Sequence, residues 1–139
     1  MNLVSESGQN VAVCPRANAT LNVGVAPLNR MLELGIRPLI GTDNVMLNSP
    51  NMFRELEFTL KLMSVYHKSY INPSELVKMA TTNVCGFDIN GVVGKSCISQ
   101  GSCAEFIVVN SFSKNPYLNI CNRLETKNIL YVINKKVNV

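Results

Sequence analysis

Gly35-Ile36-Arg37-Pro38-Leu39-Ile40-Gly41-Thr42-Asp43-Asn44 places a helix-ending glycine before a short apolar run, then follows that run with a hydroxyl, a carboxylate and an amide. A buried parallel strand delivers polar groups to its C-terminal mouth in this way, so Leu39-Ile40 is read as such a strand and Asp43 as the leading functional candidate. Pro38 lacks the amide that a central strand would use and belongs at the strand's start. The competing reading of Thr42-Asp43-Asn44 is a plain turn, because Asp and Asn side chains bond their own backbone in turns. The stretch alone does not separate the two readings, and its flanks carry the rest of the argument.

Upstream, Val11-Ala12-Val13-Cys14 is a continuous apolar tetrapeptide between Gly8 and Pro15, too short for a helix, and reads as a second buried strand. The residues through about Ser7 suit a helix tail capped by Gly8. Pro15-Arg16-Ala17-Asn18 is expected to leave the strand as a loop, which makes Arg16 and Asn18 candidate ligand contacts. A capped turn is the competing account of both. From Pro27, the spacing of Leu28, Met31 and Leu32 with Gly35 behind them predicts a short amphipathic helix. Strand, loop, helix and strand in that order make one parallel β-α-β unit.

Downstream, Ser49 with Pro50 is expected to open a helix carrying Phe53, Leu56, Leu60 and Met63 on one face and running to about His67. Asn72 with Pro73 opens another, through Leu76 and Met79, ending near Gly86. Beyond it the texture turns to strands: Phe106-Ile107-Val108-Val109 and Ile129-Leu130-Tyr131-Val132-Ile133 are strongly strand-forming. Pro116 near the start of the polar stretch between them allows a helical turn or two. Asn134-Lys135-Lys136 reads as a tight turn. The expected boundary separates an α/β part, residues 1–86, from a β part, residues 87–139.

Composition narrows the class of protein. A chain of 139 residues suits one domain, and with 47% hydrophobic and 16% charged residues it has the makings of an ordinary globular core. No run approaches the roughly 18 apolar residues of a membrane span, and the N-terminus lacks the pattern of a secretory signal, so a cytoplasmic protein that does not enter membranes is expected. The net charge of +4 is scattered and only 6% of residues are aromatic, which argues against a nucleic-acid footprint. The five cysteines include no Cys-x-x-Cys pair, so reduced thiols are expected rather than a zinc ribbon. A phosphate-binding α/β protein would need a glycine-rich loop opening a helix, and none is present.

Taken together, Val11 to Asn18, Leu21, Gly24, Ala26-Pro27-Leu28, Leu32, Gly35, Gly41-Thr42-Asp43, Asn48, Phe53 and Glu55 resemble the last two strand-helix units of the amidohydrolase superfamily. The branch they are most similar to is the cytosine deaminase and chlorohydrolase-like group, which includes adenosylhomocysteine, methylthioadenosine and guanine deaminases. Met79-Ala80-Thr81-Thr82-Asn83, Gly91, Gly94-Lys95, Gly101 and Ala104-Glu105-Phe106-Ile107-Val108-Val109 are similar to the segment where that family's chain leaves the barrel for a small β-sandwich. The resemblance runs from about residue 8 to the end. It implies an α/β fold: the last two strand-helix units of a (β/α)8 TIM-type barrel, followed by strands of a β-sandwich.

It also implies a chemistry. In the family, the aspartate ending the eighth barrel strand binds a divalent metal, zinc or iron, and exchanges protons with the attacking water, and Asp43 matches it. A carboxylate with an ordinary pKa near 3.9 is an ionised, hard oxygen ligand at neutral pH and can accept a proton from metal-bound water. Arg16 and Asn18 match the loop bordering the substrate pocket. The implied activity is hydrolysis of a carbon-nitrogen bond, a deamination of a heterocyclic base or nucleoside-type small molecule.

Three departures bear on this. Ala17 replaces the family's common serine, and Ala104-Glu105 stands where relatives usually have alanine and aspartate. The family's metal site also needs several histidines, and this chain has one, His67, expected at a helix end away from the strand tips. Two of eight strands cannot close a barrel. The chain is therefore expected to be a C-terminal piece, inactive alone and completed by a missing N-terminal barrel portion. The alternative is a noncatalytic interaction module that assembles through its open strand edges with itself or with a separate chain.

Overall fold

The computed structural model describes residues 1–66, 70–84, 88–89, 92–93, 97–102 and 104–134. Helix α1 (Asn2–Ser7) ends at Gly8, whose φ of 64° is the left-handed conformation that glycine adopts at no steric cost. Strand β1 (Ala12–Val13) follows, then α2 (Pro15–Leu21) and α3 (Leu28–Glu33), then β2 (Leu39–Ile40). The two strands run parallel, Ala12 opposite Leu39 and Val13 opposite Ile40. The ladder is closed by Leu39 N–H donating to the Val11 carbonyl at 2.8 Å and Gly41 N–H to the Val13 carbonyl at 2.9 Å. A parallel pair bridged by helices is the β-α-β unit that the spacing predicts.

One local expectation fails here. Residues 15–18 are not a loop but the first turn of α2, because Pro15 pre-sets a helical φ at the first position and the Cys14 carbonyl accepts the Asn18 N–H at 2.9 Å. Pro27 likewise precedes α3 as its cap residue, its carbonyl accepting the Met31 N–H at 3.0 Å.

After β2 a loop leads to α4 (Met52–Tyr66) and α5 (Pro73–Ala80). Asn51, rather than Ser49, caps α4: its side-chain oxygen accepts the Arg54 N–H at 3.2 Å and its carbonyl the Glu55 N–H at 3.1 Å. Asn72 caps α5 as expected, through its side-chain oxygen and the Ser74 N–H. α5 stops at Ala80 and gives way to a 3-10 turn, Thr82–Val84, well before Gly86. Leu56, Met63, Ile71, Leu76 and Met79 join Val13, Leu28, Met31, Ile36 and Ile40 in one buried cluster, so the helices pack on the parallel pair.

The remaining chain forms a short antiparallel pair, β3 (Asp88–Ile89) with β4 (Val92–Val93), and a longer one, β5 (Glu105–Val109) with β6 (Ile129–Asn134). Between β5 and β6 lies α6 (Pro116–Asn122), capped by Asn115, which accepts from the Tyr117 and Leu118 amides. α6 packs against α4 and α5 and contributes Cys121 to the core. The β5–β6 ribbon has apolar residues on both faces, since neighbours along a strand point opposite ways, yet Ile107 is 48% and Val132 68% exposed. The expected boundary at 86 and 87, His67, and the turn at Lys135-Lys136 lie outside the described residues. No described helix is long and apolar enough to cross a membrane.

Candidate active site

Both parallel strands end at the same mouth. β1 is followed by Cys14, and β2 by Gly41, Thr42 and Asp43. A Cβ on Gly41 would meet the Cys14 sulfur at 3.3 Å, so the absence of a side chain there is what lets the two strand ends approach. The Asp43 main-chain N–H faces that same sulfur. Asp43 has a φ of 56°, a left-handed conformation uncommon outside glycine and concentrated at turns and functional sites. Its side chain is exposed, and one oxygen accepts the Asn44 N–H at 2.8 Å, while the Asn44 side chain accepts the Met46 N–H at 2.7 Å. The Asx turn allowed by the sequence is therefore present, and it sits at the strand mouth.

The Cys14 thiol is pushed above its ordinary pKa, first by burial and then by the negative charges of Asp43 and Glu55, against the opposing bond from the Asp43 amide. It is held as a neutral thiol and is not set up as a nucleophile.

Arg16 reaches this region by another route. As the second residue of α2 it donates its main-chain N–H to Glu55 Oε2 at 3.3 Å and its guanidinium Nη1 to Glu55 Oε1 at 3.2 Å. The same guanidinium reaches the Ser49 carbonyl at 3.1 Å and Asn48 Oδ1 at 3.3 Å, both in the loop that follows Asp43. Glu55 is completely buried, and burial raises its pKa while the three favourable contributions from Arg16 oppose the rise. The Asn48 side-chain nitrogen is buried without a hydrogen-bond partner. Asn18 sits elsewhere: it lines a narrow crevice with Val25, Leu28, Thr59 and Met63, between α2 and α4. The structure thus brings Arg16 to the Asp43 loop and sets Asn18 among the helices.

Glu55 and Cys14 were not singled out as site residues by sequence. A signal for Glu55 exists in the spacing of Glu55, Thr59 and Met63, a buried stripe of α4 at intervals of four. A carboxylate on such a stripe demands a buried cationic partner. Nothing in the sequence marks Cys14 beyond its place after a strand.

As a metal site the arrangement is incomplete. Among the described residues no cluster of three or more His, Cys, Asp or Glu is placed to hold an ion, and Asp43 offers one carboxylate where zinc takes three or more protein ligands.

Comparison with known proteins adds an independent line. A model of the amidohydrolase family matches residues 1–139. A Methanothermobacter thermautotrophicus protein carrying an aminohydrolase name is 47% identical over 135 residues, which are 97% of this chain and 34% of that protein. A 5-methylthioadenosine/S-adenosylhomocysteine deaminase of Dictyoglomus thermophilum is 32% identical over 78% of the chain and 26% of its own length. The chain spans about a third or less of the curated relatives it matches. Among solved structures, a zinc-bound adenosine deaminase from Xanthomonas campestris superposes with a TM-score of 0.76 at 20% identity, over 95% of this chain and 32% of that one. At that identity the likeness is one of fold.

Proposed function

The chain belongs to the amidohydrolase family, and from that membership we propose that it is the C-terminal part of a metal-dependent hydrolase of carbon-nitrogen bonds, a deaminase of a heterocyclic base or nucleoside-type substrate. On this reading β1, α2, α3, β2 and α4 belong to the last two units of a (β/α)8 barrel, residues 87–139 belong to a β-sandwich, and the protein is cytoplasmic. The observation that carries it is Asp43 at the common mouth of two parallel strands, held in a left-handed conformation. The deaminase names of the relatives support the reaction class.

Asp43 would give one carboxylate to a divalent ion, zinc or iron, whose other ligands are not among the described residues. The same carboxylate is placed to carry a proton. Water oxygen attacks the ring carbon bearing the amine, Asp43 takes the water's proton and hands it to the leaving nitrogen, and the carbon-nitrogen bond breaks to release ammonia. Arg16 and Asn18 are the residues proposed beside the substrate pocket, and the geometry supports them less than Asp43 because Arg16 is already engaged by Glu55. The interaction-module alternative draws weaker support, because the family match spans the whole chain.

The test pairs this chain with the N-terminal two-thirds of the Methanothermobacter relative, loads zinc or iron, and measures ammonia release from adenine- and guanine-type substrates. The expected result is activity in the pair that falls by at least about 100-fold with Asp43→Ala, the scale of a lost proton-transfer group. Undiminished activity in the alanine variant would refute the assignment.

A further inference from the structure

We propose that Arg16 is a positioning residue: with Glu55 it clamps the loop of residues 44–50 against α2 and α4, and so sets where the Asp43 carboxylate stands. This rests on Asp43 being the working group of the site. The clamp itself is a structural statement that can be tested without any turnover.

The geometry makes the clamp three-way. Glu55 on α4 accepts both the main chain and the side chain of Arg16 on α2, and the guanidinium passes on to the Ser49 carbonyl and the Asn48 side chain. A planar fork with several fixed donors can span three segments, whereas an ammonium group cannot reach them together. Glu55 is fully buried, so the guanidinium cannot swing toward a substrate without leaving a buried carboxylate that keeps the Arg16 main-chain N–H but has lost its cation. Within the loop, the Leu47 N–H donates to the Asn44 carbonyl at 3.1 Å, a local bond that does not tie it to the helices. Val45 and Met46 near its start are 72% and 87% exposed, so apolar packing does not hold that part. The Asx turn at Asn44 orders the first half, and Arg16 orders the second.

The experiment is hydrogen exchange read by mass spectrometry on the full chain, comparing wild type with Arg16→Lys and Arg16→Met well below their unfolding temperatures. Arg16→Lys is expected to exchange the amides of residues 44–49 about tenfold faster or more, the scale of losing one hydrogen bond to a charged group, while β1, β2 and the centre of α4 keep their protection; in Arg16→Met the loss of the cation beside Glu55 adds a fall in global stability that reaches the strands as well. Should Arg16→Met fail to fold, Arg16→Lys, which keeps the charge, carries the comparison. In Arg16→Lys, unchanged protection of the loop, or a rise in exchange shared equally by the strands and α4, would overturn the clamp. In the paired enzyme, Arg16→Lys is expected to lower kcat with KM unchanged, whereas a raised KM at constant kcat would mean direct substrate contact and also overturn it. Loss of the catalytic reading alone would show differently, as full activity in Asp43→Ala with the exchange result intact.

Discussion

Asn83, in the 3-10 turn beyond α5, donates its side-chain amide to the carbonyl of Pro38 at 2.8 Å, and both residues are buried. Pro38 stands immediately before β2, so this bond ties the end of the helical layer to the start of the strand that delivers Asp43. Replacing Asn83 by Ala leaves a buried carbonyl without a donor and is expected to destabilise the chain by about 1–3 kcal/mol. Urea unfolding should show a lower midpoint at an unchanged m-value.

The left-handed backbone at Asp43 lets stability and the proposed role be tested apart. Asp43→Gly removes the side chain but relieves the steric cost of φ 56°, so the unfolding free energy is expected to stay within about 1 kcal/mol of wild type. Asp43→Ala keeps that cost and also loses the bond to the Asn44 amide, and should be the less stable of the two. Denaturant titration of the pair checks the order, and both should be inactive in the ammonia-release assay.

Glu55 predicts a pH dependence. Its pKa lies above the ordinary 4.5, chiefly through burial, and Arg16 opposes that rise. A raised folded-state pKa means a contribution to stability that is present below 4.5 and lost as pH rises through the folded value. In Arg16→Met the guanidinium's share of that opposition disappears while the main-chain N–H bond to Glu55 Oε2 stays, so the pKa moves further up and more stability is lost above the window. The difference between variant and wild type should therefore be small below the ordinary carboxylate range and grow toward neutrality, to about 3–5 kcal/mol for a stranded buried charge. Guanidinium unfolding at a series of pH values measures it. An equal difference at acid and neutral pH would contradict this account.

The cysteines should react in an order set by burial. Cys97 is exposed, whereas Cys121 is fully buried beside the Pro73 carbonyl, with its thiol pushed up to about 12 by burial. Iodoacetamide followed by peptide mass spectrometry should modify Cys97 in native buffer, Cys14 more slowly, and Cys121 only after unfolding. Native labelling of Cys121 at the rate of Cys97 would show that α6 leaves the core readily.

Much of the framework was legible in the chain. Periodicity and punctuation located both parallel strands, Asn72-Pro73 proved to be a cap followed by a first helical residue, and the helical turn or two allowed near Pro116 is α6. The two errors at helix starts share one cause. Pro15 and Pro50 each stand near a helix start, and sequence alone does not say whether such a proline lies inside the first turn, as Pro15 does, or before the cap, as Pro50 does. The site was legible only in part. Asp43 announces itself by following a strand, while the Arg16–Glu55 pair joins residues 39 positions apart, and only the packing of α2 on α4 brings them together. The use of Arg16 was the hardest feature to read, because an arginine after a strand looks the same whether it faces a ligand or a buried carboxylate.

α6 lies on α4 and α5 with Cys121 seated among their side chains, although residues 97–102, mostly exposed, intervene along the chain. A protease cutting there would sever the polypeptide without releasing its end, and the nicked halves should elute from a sizing column as one species until denaturant separates them. For this protein, covalent continuity and physical unity are separate properties.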